Sequence, residues 1–408
     1  MNYKQSVSRF IIAAPLLCVL IFTACATFRK PVLQEQPPVT EKVSAPEYGM
    51  WFSFYEYDEL CSGMDKTEFS AFTAQAVKNM KAAGITTLFL HAVAFTDAFY
   101  DSAIYPASKL RPSASYDPFA LFLEAAHSQG IKVEAWINPF RSIKATEVQD
   151  LPADCSIRHF IEDNQNRIKL VNGRWYLNPA YPEVRTLVCD VARELIGKYP
   201  VDGIHLDDYF YPDGATEEFD AEAYADAAAQ QPDLTLSSFR TANIDSLVSE
   251  LYTAVKQSNP SCRLSISPAG NYDYCVLRMY GDPVHWIAAG TVDCLIPQIY
   301  WGFEHPTKPF EQTLDQWTAF VRGTRVSMLA GLAAYKIGKA ETFTKDNNDA
   351  KMEWIRGQSI LSRQTDYALR SGCDGVVYFS YRSLFAPQPR VAYKVQSELE
   401  QLKSQNAR

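Results

Sequence analysis

The chain has 408 residues and a formal net charge of -8. This acidic balance excludes the basic surface that nucleic-acid binding requires, so we expect no nucleic-acid partner. Its cysteines are scattered without CxxC pairs and its histidines show no HExxH spacing, which argues against a disulfide scaffold, a zinc site and a metal-dependent deacetylase. We therefore expect neither a metal nor a cofactor.

The first 24 residues predict a lipoprotein signal peptide. A basic start precedes an apolar run, residues 10–22, which is too short to span a bilayer as a lasting helix. The sequence FTAC that ends at Cys25 resembles a lipobox, although an ordinary signal peptide with an incidental cysteine is the alternative. Residues 25–46 are polar and rich in proline, which predicts an extended tether. We expect an exported protein that is anchored to the membrane by lipid on Cys25.

Short apolar segments alternate with helical stretches along the rest of the chain, residues 47–408. The segments with strand character are 48–54, 86–94, 132–138, 203–208, 263–267, 294–299, 327–334 and 375–380. The helical stretches include 67–83, 118–129, 182–198, 242–257 and 354–370.

Repeated strand-helix units predict parallel strands, and eight of them close naturally into a (β/α)8 TIM barrel, which we predict as one domain, residues 47–408. Glycines such as Gly84 and Gly130 stand where helices should end. A doubly wound open sheet is the alternative, but the glycine-rich phosphate turn that it needs after its first strand is missing. The long loops 138–181 and 209–239 follow the third and fourth strands, where a barrel builds its site.

The most informative segment is residues 201–212, in which the fourth predicted strand ends at Asp207 and Asp208. Side chains alternate along a strand, so His205 and Asp207 share a face, and we place it inside the barrel because the intervening residues are apolar. Asp208 lies where the backbone turns and can also face the cleft. Adjacent carboxylates suit glycoside hydrolysis, because one protonates the leaving oxygen while another group supports developing positive charge. The alternative is a structural role, such as capping the turn or pairing with an arginine such as Arg240 or Arg141.

Polar and aromatic residues at the ends of the other predicted strands should face the same mouth and form a sugar-binding cleft. Besides His205 and Tyr209, the candidate substrate-binding residues are Trp136, Asn138, Arg141, Ser267, Gln298, Tyr300, Trp301, Tyr335 and Tyr381. Each of them alone is more often a core or capping residue. Their convergence at one end of the barrel is what predicts a site.

Motifs spread over nearly all of residues 47–408 are shared with one known family. They lie at 84–89, 97–100, 104–106, 135–141, 177–179, 182–185, 202–212, 266–268, 297–301 and 379–384. By these motifs the chain resembles the bacterial glycosyl-hydrolase-like family 10, found in many exported lipoproteins. The resemblance implies a glycoside-hydrolase barrel and a polysaccharide substrate, since some members are implicated in cutting peptidoglycan glycan strands. It also implies that Asp207 and Asp208 form the family's acidic strand end.

The resemblance favours hydrolysis of a β-linked N-acetylglucosamine chain by a protein on the periplasmic face or the cell surface. By analogy, adjacent Asp-Asp pairs also occur in hexosaminidases that use the substrate's acetamido group as nucleophile. One Asp then orients the acetamido nitrogen while the other acts as acid and then base, and the sequence leaves their assignment open. Glu134, Asp97 and Glu304 are the alternatives for a distant second carboxylate.

Two other functions stay open. The family's usual Arg-Pro pair after the second strand is replaced by Val93-Ala94, and an expected aromatic is replaced by Ala269. A glycan-binding or scaffolding barrel that does not cleave its ligand is therefore the second hypothesis. A deacetylase or esterase is the third, and it requires a metal dependence.

Overall fold

The computed structural model describes residues 45–163 and 166–406. The strands of this part of the chain are β1 (Glu47–Phe52), β2 (Thr87–Val93), β3 (Lys132–Ile137), β4 (Arg141–Lys144), β5 (Ile168–Val171), β6 (Arg174–Leu177), β7 (Gly203–Leu206), β8 (Arg263–Ile266), β9 (Cys294–Leu295), β10 (Ser327–Leu332) and β11 (Gly375–Tyr378). The predicted signal peptide, Cys25 and nearly all of the tether lie outside the described residues.

Eight of these strands close into a barrel in the order β1-β2-β3-β7-β8-β9-β10-β11. All neighbouring pairs are parallel, and closure is made by β1, which pairs with β2 on one side and with β11 on the other. Helices connect the strands, so the predicted (β/α)8 fold is confirmed. The carboxyl ends of all eight strands therefore meet at one face of the barrel.

The helices of the described chain surround this barrel. They are α1 (Phe54–Cys61), α2 (Lys66–Ala82), α3 (Pro118–Ser128), α4 (Ser156–Glu162), α5 (Pro182–Lys198), α6 (Ala221–Gln230), α7 (Leu236–Ser258), α8 (Tyr272–Arg278), α9 (Pro283–Ala289), α10 (Phe310–Val321), α11 (Asn348–Arg356), α12 (Ile360–Arg370), α13 (Tyr381–Phe385) and α14 (Ala392–Asn406). None of the helices within these described ranges is both long and apolar enough to cross a bilayer.

Local sequence signals explain where the helices begin and end. Asp65 and Glu68 form a capping box at the start of α2, so both side chains satisfy backbone N–H groups that the first turn leaves free. After the helix, Gly84 takes a φ of 76°, a left-handed conformation that costs glycine little. Gly130 does the same after α3 with a φ of 69°. Both glycines stop their helices as the sequence predicts.

Two predicted elements are shorter than expected. The strand predicted at 294–299 is continuous only at Cys294 and Leu295, because Pro297 has no N–H to donate. Beyond the proline, Gln298 forms isolated bridges with Ala269 and Gly331. The helix predicted at 354–370 is broken between α11 and α12, where Ser359 has a φ of 58° and interrupts the helical backbone.

The two long loops carry structure of their own. The loop after β3 contains a small antiparallel sheet in the order β4-β6-β5. The loop after β7 contains α6, so the Ala-rich segment there is a helix. Both insertions extend from the carboxyl face of the barrel and wall the region above the strand ends.

Candidate active site

A cavity of about 270 Å³ opens at the carboxyl ends of the barrel strands. It lies where loops of different strands converge, which is the usual place for a site in this fold. Its lining consists of Trp51, Ser53, Phe54, Tyr55, His91, Trp136, Asn138, Asp207, Asp208, Tyr209, Ser267, Gln298, Tyr300, Tyr335 and Phe379.

Asp207 lies at the base of this cavity, directly after β7. Its side chain is almost fully buried, and its Oδ1 accepts the backbone N–H of Tyr209 at 3.1 Å. Its Oδ2 is buried and has no hydrogen-bond partner among the described residues. Burial, followed by the charge of Asp208, raises the pKa of Asp207 well above its usual range. This carboxyl therefore retains a proton readily, although the Tyr209 N–H, the Arg141 charge and the Trp136 side chain oppose the rise in its pKa.

Asp208 is the more accessible carboxyl of the pair. Burial raises its pKa to about 6, against opposing effects from the Gln298 side chain and the Arg141 charge. Gln298 is held in place because its Nε2 donates to the backbone oxygen of Ser267 at 3.0 Å. Because both pKa values are raised, the pair holds one proton between its two carboxyls near neutral pH. One group can then act as an acid while the other is an anion, as acid-base catalysis requires.

The floor of the cavity rests on a hydrogen-bonded column inside the barrel. The indole N–H of Trp51 donates to Nε2 of His205 at 3.1 Å, and the Ser267 hydroxyl lies 3.2 Å from the same nitrogen. On the other side of the imidazole ring, Nδ1 lies 2.8 Å from the Ser265 hydroxyl, which donates to Glu134. The column fixes the orientation of the Trp51 ring beneath the carboxyl pair.

One wall of the cavity is aromatic. The rings of His91 and Trp136 are stacked with centroids 3.8 Å apart and an interplanar angle of 9°. Nδ1 of His91 accepts the backbone N–H of Phe54 at 3.2 Å, so a neutral His91 carries its proton on Nε2. Burial lowers the pKa of His91 to about 3, which keeps this wall uncharged. Flat, uncharged aromatic faces suit contact with a sugar ring.

Most of the candidate residues predicted from the sequence lie together in the lining. They are Trp136, Asn138, Asp207, Asp208, Tyr209, Ser267, Gln298, Tyr300 and Tyr335. Of the others, His205 is inside the barrel as predicted but lies beneath the floor. Arg141 lies beside the cavity, with its guanidinium carbon 4.7 Å from the centre of the Tyr209 ring.

Two predicted cleft residues are placed elsewhere by the structure. Tyr381 is the second residue after Phe379 and the first of α13; its ring packs 5.7 Å from Phe52, and its hydroxyl accepts a hydrogen bond from Asn79. Phe379 lines the cavity instead. Trp301 does not line the cavity, because the chain turns away after β9 and its ring packs near His305, with centroids 6.1 Å apart.

Sequence reasoning missed several lining residues on or just after the first, second and eighth strands: Trp51, Ser53, Phe54, Tyr55, His91 and Phe379. A signal existed for three of them. Trp51 lies between Met50 and Phe52 in β1, and Ser53 continues its parity just after the strand. Phe379 likewise continues the parity of Val377 in β11, whose side chain lies inside the barrel.

The alternative second carboxylates do not line the cavity. Glu134 lies lower in the barrel, where it accepts hydrogen bonds from Arg263 and Ser265. Asp97 lines a neighbouring groove instead, where it is partly buried and accepts the backbone N–H of Phe95 at 2.8 Å. Glu304 is exposed at the surface. Neither arginine that was considered as a structural partner forms an ion pair with Asp207 or Asp208. Arg240 pairs with Asp220 at 2.6 Å, and Arg141 acts on the carboxyl pair only through its charge.

A sequence model described as glycosyl hydrolase-like 10 matches residues 62–349. The chain belongs to this family. That membership confirms the resemblance found in the sequence motifs and places the chain among glycoside-hydrolase-like barrel proteins.

Curated members are similar to the chain over most of its length. Glycosyl hydrolase DigH of Escherichia coli strain K12 is 27% identical over 391 residues, with 85% of this chain and 87% of that protein covered. Glycosyl hydrolase YngK of Bacillus subtilis strain 168 is 28% identical over 314 residues, which cover 71% of this chain and 58% of YngK. Both relatives are thus named as hydrolases of glycosidic bonds.

A solved structure shares the fold at lower identity. The glycoside hydrolase domain of PgaB (BpsB) from Bordetella bronchiseptica has a TM-score of 0.56 and 14% sequence identity, covering 87% of this chain and 99% of that chain. At this identity the likeness supports the barrel fold alone.

Proposed function

We propose that this chain is an exported, lipid-anchored glycoside hydrolase that cleaves a polysaccharide containing N-acetylglucosamine, with peptidoglycan glycan strands as the expected substrate. One observation carries the proposal. Asp207 and Asp208 lie side by side at the base of an aromatic cavity, and both have raised pKa values. They are also the only carboxylates in its described lining.

The absence of a third carboxylate from that lining favours a substrate-assisted mechanism. A two-carboxylate mechanism places the second group about 5 to 9.5 Å from the first, across the scissile bond. The candidates for that role, Glu134, Asp97 and Glu304, lie outside the cavity. The acetamido oxygen of the substrate then acts as nucleophile and attacks the anomeric carbon.

The two carboxyls differ in ways that suggest separate roles. Asp207 Oδ2 is free and buried, so it is suited to accept the acetamido N–H of a bound sugar. This contact stabilises the ionised form of Asp207, and its charge in turn raises the pKa of Asp208. Asp208, the more accessible group, then protonates the glycosidic oxygen and later takes a proton from the attacking water.

The size of the cavity fits one sugar ring better than a chain, being near the lower end of ligand pockets, about 300–1,000 Å³. A second groove of about 450 Å³ shares Phe54 and Tyr55 with it. A polysaccharide could place one sugar ring in the cavity and the adjoining rings in the groove. Anchoring is supported by the signal-like first residues and the Cys25 motif.

The test is incubation of the purified protein with peptidoglycan glycan strands from which stem peptides have been removed. We expect release of reducing ends by the wild type and a loss of about 10²–10⁴-fold in rate for Asp208→Asn. Asp213→Asn is the matched control, because Asp213 follows in the same loop but pairs with Arg278 at the surface. Binding of the strands without cleavage would support the glycan-binding hypothesis instead.

A further inference from the structure

The groove beside the cavity is lined by residues of the loops after β1, β2 and β3. Its volume is about 450 Å³, and it meets the cavity at Phe54 and Tyr55. Its lining carries charges of both signs, which are Arg141, Arg174, Lys109 and Lys144 together with Asp58, Asp97, Glu147 and Asp150. The two arginines lie close together. They come from β4 and β6, which pair antiparallel in the small sheet after β3. The sheet therefore brings together two cations that are far apart in sequence.

Aromatic rings hold both guanidinium groups. The guanidinium carbon of Arg141 lies 5.0 Å from the centre of the Phe95 ring and 4.7 Å from that of Tyr209. That of Arg174 lies 4.4 Å from the centre of the same Phe95 ring, and its Nη1 donates to the backbone oxygen of Ser142. Stacked guanidinium groups lose little additional entropy on binding a ligand, since their planes are already fixed.

Neither arginine forms a direct ion pair with the carboxylates of the groove. In the part of the chain that the structure describes, neither guanidinium forms an ion pair, and the buried Nε of Arg141 has no hydrogen-bond partner. Lys109 in the same groove, by contrast, pairs with Asp150 at 2.5 Å.

Burial and mutual repulsion of the two arginines reduce the stability of the free protein. Burial and then the Arg141 charge lower the pKa of Arg174, while Glu147 and Asp97 act in the opposite direction. Unpaired, partly buried like charges cost stability, and such a cost is typical of sites that a ligand completes. Arg141 also acts at longer range on the pKa of Asp208, so the pair lies next to the proposed reaction centre.

We propose that Arg141 and Arg174 form a subsite for a carboxylate carried by a sugar of the substrate chain, next to the ring held at Asp207 and Asp208. The inference rests on the proposed function and assigns a binding place on the protein to an acidic group of its substrate. Planar guanidinium groups bind a carboxylate through paired N–H donors, which matches the free Nε of Arg141. The carboxylate comes either from a uronic acid or from a lactyl ether on a hexosamine.

Binding can be measured separately from cleavage. Isothermal titration of the Asp208→Asn variant would use three oligosaccharides: a lactyl-ether hexosamine chain, the same chain with its carboxyls reduced to alcohols, and an alternating uronic acid chain. We expect the lactyl or the uronic chain to bind at least tenfold more tightly than the reduced chain, and whichever does so identifies the source of the carboxylate. Equal affinity for all three would overturn the proposal.

A second variant tests the residues. Adding Arg174→Gln to Asp208→Asn should reduce the preference for the carboxylate chain at least tenfold, whereas adding Arg174→Lys should restore part of it. Adding Arg193→Gln instead controls for loss of a positive charge, because Arg193 is a surface residue of α5 that pairs with Asp190. A preference that survives Arg174→Gln would refute the subsite. Absence of hydrolysis by the wild type would refute the proposed function but would leave the binding result valid.

Discussion

Inside the barrel, the indole nitrogen of Trp51 lies 3.1 Å from Nε2 of His205, and this contact determines the state of the imidazole. An indole N–H can only donate, so Nε2 must be the acceptor and the ring proton must lie on Nδ1. Nδ1 then donates to the Ser265 hydroxyl at 2.8 Å, and Ser265 donates to Glu134. All the donors of the column thus point down the barrel, away from the cavity.

His205 should therefore remain neutral with its proton on Nδ1. Burial, with the charge of Arg263 next, holds the pKa of His205 well below its usual range. Nitrogen-15 NMR of histidine-labelled protein should show an unprotonated Nε2 and a protonated Nδ1 from pH 8 down to pH 5. The signal is assigned by its loss in His205→Gln, and a doubly protonated His205 at pH 6 would contradict the arrangement.

The pH dependence of hydrolysis should follow the carboxyl pair. Below about pH 6 both Asp207 and Asp208 carry protons, since the pKa of Asp208 is raised to about 6 and that of Asp207 is raised further. The singly protonated pair has both the acid and the anion that the mechanism needs. We therefore expect kcat/KM to fall as pH drops below about 6, and to fall again at the higher pH where the last proton leaves.

This profile is measured on glycan strands between pH 4 and pH 10, because kcat/KM reports the free enzyme. The Asp213→Asn variant should keep the same profile. A rate that is constant from pH 5 to pH 7 would show that the pair does not control the reaction.

The same pair should reduce stability at high pH. A carboxyl whose pKa is raised by folding makes the folded state less stable as pH rises above its unfolded pKa, because the unfolded chain then releases the proton more easily. Asp207→Asn removes that cost, so its free energy of unfolding should exceed that of the wild type by about 1–2 kcal/mol at pH 8. Near pH 4 the two proteins should have nearly equal stability.

Urea unfolding at the two pH values measures this difference. Asp213→Asn, which changes an exposed side chain, should leave stability nearly unchanged at both. An Asp207→Asn variant that is less stable than the wild type at pH 8 would show that the carboxylate supports the fold rather than destabilising it.

Glu134 should contribute to stability rather than to catalysis. It lies in the lower barrel, where the Arg263 guanidinium donates hydrogen bonds to both Glu134 and Glu47. Arg263→Met leaves Glu134 buried without its partner, which should cost about 3–5 kcal/mol at pH 8. Burial already raises the pKa of Glu134 to about 6, and losing Arg263 raises it further, so the cost should be smaller at pH 5, where Glu134 is protonated.

Unfolding of Arg263→Met in urea at pH 5 and pH 8 checks both magnitudes. Arg370→Met is a suitable control, because Arg370 forms an exposed pair with Asp366 on one helix. This substitution should lower the free energy of unfolding by less than about 1 kcal/mol. A loss that does not depend on pH would mean that the packing of Arg263, and not the charge of Glu134, is responsible.

The sequence by itself determined the barrel and its acidic strand end. Alternating strand and helix patterns are local, so the parallel strand-helix units follow from periodicity. The missing glycine-rich phosphate turn then favoured a closed barrel over an open sheet. Asp207 and Asp208 could be placed at the cavity for the same reason, since they directly follow a strand. The side on which His205 lies also follows from simple alternation.

Tertiary structure decided which other residues surround the carboxyl pair. Closure of the barrel brings Trp51 of the first strand next to His205 of the fourth strand and to Phe379 after the eighth. No local sequence pattern records such long-range neighbours. Phe379 lines the cavity and Tyr381 does not, because the strand alternation ends before α13 begins at Tyr381. From that residue onward, the helix and not the strand determines which side chains face inward. Arg174 meets Arg141 only because a small sheet pairs their strands, so the register of that sheet, and not the spacing in sequence, creates the pair.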